Sequence, residues 1–151
     1  MMITYYDGNI FDDSSEALVN AVNTVGVMGR GVALQFKFTF PECYEAYLEE
    51  IRRNGMLVGK VQVVPIHSSK SVKHVINFPT KMHWRNPSRL NWINDGLIDL
   101  KTKIRTHEIK SIAIPALGCG NGGLQWEDVN SLIQQHLKEI DGDVRVYLPR
   151  H

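Results

Sequence analysis

The chain has 151 residues, 43% hydrophobic and 22% charged, a size and balance that fit one globular domain over residues 1–151 with a real core. Seventeen basic against sixteen acidic side chains leave a net charge of +1, which neither demands nor excludes nucleic acid and makes any basic surface local. No apolar run is long enough for a membrane helix and no basic-plus-apolar leader is present, so the protein reads as cytosolic, with no membrane partner.

In chain order, residues 2–6 read as a first strand. Residues 17–22 (Ala-Leu-Val-Asn-Ala-Val) read as a second, apolar enough to be buried on both faces. A turn with Gly26, Gly29 and Gly31 follows and feeds a short helix over 31–38. Pro41 fits the first turn of the next helix, whose stripe is Tyr44, Tyr47, Leu48 and Ile51, with Gly55 beyond its end. Residues 61–66 alternate as a strand and 73–78 follow as another. Leu90, Ile93, Leu97, Leu100 and Ile104 then form a helical stripe for which Ser88 is the expected cap. Residues 110–114 and 144–148 are the last two strands, and between them Trp126, Val129, Ile133, Leu137 and Ile140 mark a final helix. Strands alternating with amphipathic helices predict an α/β layered fold around a largely parallel six-stranded sheet. Cys43 and Cys119 lack metal-ligand spacing and read as free thiols.

In such sheets the ligand crevice lies beyond the carboxyl ends of the strands. Three polar or glycine-rich segments follow strand ends here, 20–31, 80–88 and 118–123, and they are expected to converge. The run Gly118-Cys119-Gly120-Asn121-Gly122-Gly123 joins a strand to a helix start. It can present main-chain N–H groups to an anion, although such turns also simply reverse a chain. The loop through Gly31 repeats that logic, and two such loops suit a ligand with two phosphates. Asn20 reads as a residue that stabilises the turn, and Asn23, nearer the loop, as a ligand contact.

The segment Lys81-Met82-His83-Trp84-Arg85 concentrates chemistry. Lys81 is either solvated, a phosphate contact, or a nucleophile if desolvation lowers its pKa. His83 is a proton-transfer candidate or a structural histidine. Trp84 reads as core or as a base-stacking platform, and Arg85 and Arg89 could hold nucleic-acid phosphate. Neither glycine loop matches GxxxxGK[ST] and no acidic ribose contact follows, so nucleoside triphosphate hydrolysis and hydride transfer fit poorly. Neither a Gly-x-Ser-x-Gly elbow nor a metal-spaced His/Cys/Asp cluster occurs, and neither cofactor nor metal is expected.

Together, Asp7-Gly8-Asn9-Ile10, the run 17–23, the loop through Gly31 and the loop 118–123 resemble a macrodomain, the ADP-ribose-binding fold. The resemblance runs through nearly the whole chain and implies a three-layer α/β/α architecture with a mixed, largely parallel sheet. Residues 23–34 and 77–85 resemble the DarG antitoxin branch, whose members remove ADP-ribose from thymidine in single-stranded DNA and so reverse a partner toxin. The resemblance then implies an ADP-ribose site with Asn9 and Ile10 at the adenine end, Asn9 standing where many macrodomains have aspartate. Asn20, Asn23, Gly26, Val27, Met28, Gly29, Gly31 and Val32 would line one side. Leu117, Gly118, Cys119, Gly120, Asn121, Gly122, Gly123 and Leu124 would line the other, around the diphosphate and distal ribose. Pro79 and Thr80 would lead to Lys81 as the catalytic lysine, with His83 as a proton donor and Trp84, Arg85 and Arg89 toward DNA. Protein-directed relatives place an aspartate where this chain has Gly122, which moves the chemistry to Lys81. Competing expectations are a hydrolase of ADP-ribosylated protein or O-acetyl-ADP-ribose, and a non-catalytic ADP-ribose reader. A monomer is expected. DarG-like antitoxins usually carry a further toxin-binding region, so this sequence reads as an excised domain or a short stand-alone relative.

Overall fold

The computed structural model describes residues 2–149. Six strands, β1 (Met2–Tyr6), β2 (Ala17–Asn23), β3 (Gln62–Pro65), β4 (His74–Lys81), β5 (Ser111–Ile114) and β6 (Asp143–Tyr147), form one sheet in the order β1-β6-β5-β2-β4-β3. Every pairing is parallel except β3 with β4. The expected mixed, largely parallel sheet is thus present, with all six strands within a few residues of their sequence-derived bounds.

Alternation along the strands divides the core in two. Val19, Ile76, Phe78, Ile112 and Ile114 face helices α3 (Leu90–Thr106) and α4 (Trp126–Leu137). Leu18, Val22, Val75 and Ala113 face α1 (Gly31–Thr39) and α2 (Pro41–Asn54). Two apolar faces explain why β2 reads as a continuous apolar run: five of its first six residues are buried, and both sides of the central strand meet helices. The three layers are helix, sheet, helix.

Two details differ from the sequence reading. Strand β4 does not stop at Phe78 but continues through Pro79 and Thr80 to Lys81. Proline is normally barred from a central strand because it has no N–H to donate. Here β3 reaches only as far as Asn77, so Pro79 lies beyond it, and the register to β2 shifts between Val22 and Asn23. The extension carries Lys81 to the sheet's carboxyl edge. Ser88, in turn, does not cap α3: Arg89 is the N-cap and makes no side-chain cap bond.

Helix α3 lies close on the sheet at Gly96. A Cβ there would fall 2.4 Å from Phe78 Cζ, deep inside van der Waals contact, and Phe78 is fully buried. Gly96→Ala is therefore expected to destabilise the fold by about 1–2 kcal/mol, overpacking of roughly 1–3 kcal/mol outweighing alanine's helix preference. Chemical denaturation measures it.

Candidate active site

The carboxyl ends of β1, β2, β4, β5 and β6 open into a cleft of about 950 Å³, within the range of small-molecule sites. All three segments singled out in the sequence reach it. Its walls include Asn9 and Ile10; Asn23, Val27, Gly29, Gly31 and Val32; Thr80, Lys81 and Trp84; and residues 118–122.

The remaining candidates lie elsewhere. Asn20 is fully buried beneath the cleft, its amide donating to Asn77 Oδ1 at 3.2 Å. Met28 and Leu117 are core residues, and Pro79 is buried within β4. Gly26 is held from behind, its N–H donating to the Tyr47 hydroxyl at 3.1 Å. Gly123 closes the turn over Gly120–Gly122 in a left-handed conformation, and Leu124 packs on the core. His83 is outside the lining too: its Nδ1 accepts the Arg85 N–H at 3.2 Å within the turn. Arg85 lies 4.6 Å over the Trp84 ring and Arg89 5.6 Å over the Trp92 ring, both off the cleft wall.

Asn23 holds its loop with every polar atom it has. Its Oδ1 accepts from Val25 N and Val27 N at 3.1 and 3.3 Å, and its Nδ2 donates to Val27 O at 2.8 Å. The Tyr47 hydroxyl sits 2.7 Å from the same Oδ1, and burial pushes that phenol up to about 12, so it stays a neutral donor. Thr24 Oγ1 donates to Met82 O at 2.7 Å and ties this loop to the lysine segment. At the other end of the cleft Asn9 Oδ1 accepts from Phe11 N at 3.0 Å, capping the short turn Ile10–Asp12. Tyr147 closes that end, its hydroxyl donating to Asp13 at 2.6 Å.

The electrostatics favour an anion. Arg30 and Lys81 are the charged side chains among the described lining residues, which include neither aspartate nor glutamate. The first turn of α1, Gly31 to Ala33, also faces the cleft, and a helix start has free N–H groups and partial positive charge. Arg30, at the α1 N-cap, received no role from the sequence; its position between a glycine turn and a helix start was the available signal.

Lys81 Nζ donates to Trp84 O at 3.3 Å and Asn121 O at 3.2 Å. No carboxylate pairs with it among the described residues. Burial, and then the Arg30 charge, lower its pKa from the ordinary 10.5. A neutral amine has two N–H donors; the two carbonyls take both and leave the lone pair free. If the neutral amine is the active form, kcat/KM rises with pH through a midpoint below 10.5. Arg30→Ala removes a like charge, raises that pKa and moves the rising limb to higher pH, whatever it does to binding. A pH–rate profile of both proteins checks the sign.

The sheet order and the paired glycine loops at its carboxyl edge are those of a macrodomain. The family's sequence model, Macro domain, matches residues 19–133, and the chain belongs to that family. Within it, the chain is 49% identical over 149 residues to a DNA ADP-ribosyl glycohydrolase of Mycobacterium tuberculosis, covering 98% of this chain and 42% of the relative. A DNA ADP-ribosyl glycohydrolase of Thermus aquaticus is 46% identical, over 98% of this chain and 41% of the relative. The chain thus spans about two-fifths of the length of these curated relatives. Among solved structures, the macrodomain of M. tuberculosis DarG superposes with a TM-score of 0.95 at 49% identity, covering 99% of both chains. Thermosipho africanus DarTG in complex with ADP-ribose gives 0.92 at 34% identity, over 97% of this chain and 41% of that one.

Proposed function

We propose that this chain removes ADP-ribose from thymidine in single-stranded DNA, with Lys81 acting at the anomeric carbon. The observation that carries it is the Lys81 amine on the cleft wall, both donors engaged by main-chain carbonyls and no carboxylate beside it. The glycine loops, Arg30 and the start of α1 take the diphosphate and fix the distal ribose against the amine, which supplies the orientation part of catalysis. The neutral amine attacks the anomeric carbon as the bond to the thymine nitrogen breaks. That nitrogen leaves with the bonding pair and takes up a proton; the attached amine loses one to water, and opening of the ribose ring, its oxygen taking the C–O pair and a proton, makes the carbon–lysine bond an imine. Water then cleaves the carbon–lysine bond, releasing ADP-ribose and restoring the amine.

Trp84, 44% exposed with Arg85 against its ring, stands where the cleft meets solvent and suits the base of a single strand. With a net charge of +1, DNA contact is short and its salt dependence modest. In this proposal residues 1–151 work as one macrodomain, a cytosolic monomer. Among the described residues no helix is long and apolar enough to cross a membrane. A relative from Thermosipho africanus is named a DNA ADP-ribosyl transferase-DNA ADP-ribosyl glycohydrolase fusion protein. By extension, the substrate of this chain is the product of a DNA ADP-ribosyltransferase toxin.

The test presents an ADP-ribosylated thymidine oligonucleotide and, separately, an ADP-ribosylated protein. Release from the oligonucleotide is expected, with little from the protein. Release from protein alone would move the substrate class, and binding without release from either would leave a reader.

A further inference from the structure

Ser88 lies where two walls of the cleft meet. Its N–H donates to Gly122 O at 2.9 Å, while its hydroxyl is buried without a hydrogen-bond partner. The residue lines the cleft and is only 6% exposed. Gly122 is not among the glycines with left-handed backbone, so its conformation admits any residue. What excludes a side chain there is Ser88. A Cβ on Gly122 would fall 2.5 Å from Ser88 Oγ and 3.1 Å from Ser88 Cβ, and the same point lies 3.9 Å from Lys81 Cε.

We propose that Ser88 is a specificity-determining residue of this site: it fills the space beside Lys81 that a side chain at position 122 would enter, and so keeps any carboxylate away from the amine. The proposal rests on Lys81 as the acting group and adds what keeps it bare. A carboxylate at that point would favour the ammonium form and tie up the amine; a neutral hydroxyl does neither. Ser88 acts by occupying the space at position 122, and the amine feels it only when a side chain is placed there.

The test is a cycle of wild type, Ser88→Gly, Gly122→Asp and the double variant, read by melting temperature and by NMR titration of the Lys81 side chain. Gly122→Asp is expected to melt several degrees lower, and adding Ser88→Gly to recover most of that loss. In the double variant Lys81 titrates about one unit higher or more, roughly a tenfold shift in its protonation equilibrium, and the rising limb of the pH–rate profile moves up with it. Ser88→Gly alone leaves the Lys81 titration unchanged. Should Gly122→Asp not fold, Gly122→Ala with and without Ser88→Gly gives the same stability coupling. Independent, additive effects on melting, or an unmoved Lys81 titration in the double variant, would overturn the proposal. Melting and the NMR titration need no substrate, so a wild-type protein inactive on modified DNA would refute the proposed function and leave those two readouts to decide on Ser88.

Discussion

Lys81→Ala is expected to lower release of ADP-ribose from a modified thymidine oligonucleotide by about 10³-fold or more, the scale at which a positioned reacting group contributes. Affinity for free ADP-ribose should stay within a few-fold. The two effects separate because the parts of the cleft separate. The proposed diphosphate end is formed by the loop held by Asn23 and Tyr47, the start of α1 and the loop 118–122, and of these only the last is bonded by the lysine side chain, at the Asn121 carbonyl. The fold is indifferent to the change as well. Lys81 is half-buried and unpaired, with bonds only to two carbonyls that sit in turns. Removing a partly desolvated cation without a counter-ion costs little and leaves no buried charge alone. A loss of binding in step with turnover would assign Lys81 to the phosphate site. Isothermal titration beside single-turnover release distinguishes the two.

Gly118→Ala is the second large effect and acts by the opposite route, through the holding loop. Gly118 adopts φ +73°, in the left-handed region, and a Cβ there would fall 2.6 Å from Leu124 Cδ1, 3.3 Å from Ser88 Cβ and 3.4 Å from Ile93 Cδ1. The left-handed conformation costs an L-residue roughly 1–2 kcal/mol. The overpacking adds about 1–3 kcal/mol, because Ile93 belongs to the closed core beneath. For a chain of this size the sum lowers Tm by roughly 5–15 °C. Since Gly118 begins the loop whose Asn121 carbonyl receives Lys81 Nζ, displacement of the loop also misplaces the amine. A further loss of about 10- to 100-fold in turnover is expected. Unlike Lys81→Ala, this variant should lose ADP-ribose affinity together with rate.

The elements were legible because their patterns are strong. The α3 stripe Leu90, Ile93, Leu97, Leu100, Ile104 holds in the fold, with Ile93, Leu97 and Leu100 fully buried. The continuous run of β2 meant burial on both faces, and it is buried on both. The convergence of three loops at one end of the sheet followed from topology alone. The rest depended on contacts that sequence order conceals. Asn23 lines the cleft and is also bonded from behind by Tyr47, which reads from its spacing as core and does sit in core, yet presents its hydroxyl to the loop. Ser88 resembles a helix cap in position and chemistry, and only the proximity of residues 81, 88 and 122 shows what it fills. The strand read over 73–78 runs on to Lys81, and sequence does not reveal that β3 stops short beside Pro79.

In the proposed reaction the glycine loops hold ADP-ribose while the Lys81 amine breaks the bond to the base. Its most direct test traps the intermediate: wild-type protein is mixed with an ADP-ribosylated thymidine oligonucleotide in the presence of a hydride reductant and digested for mass spectrometry. An ADP-ribose-derived adduct is expected on the peptide carrying Lys81, assigned to that residue and absent without substrate. Full turnover with an unmodified Lys81, matched by undiminished release in Lys81→Ala, would contradict it.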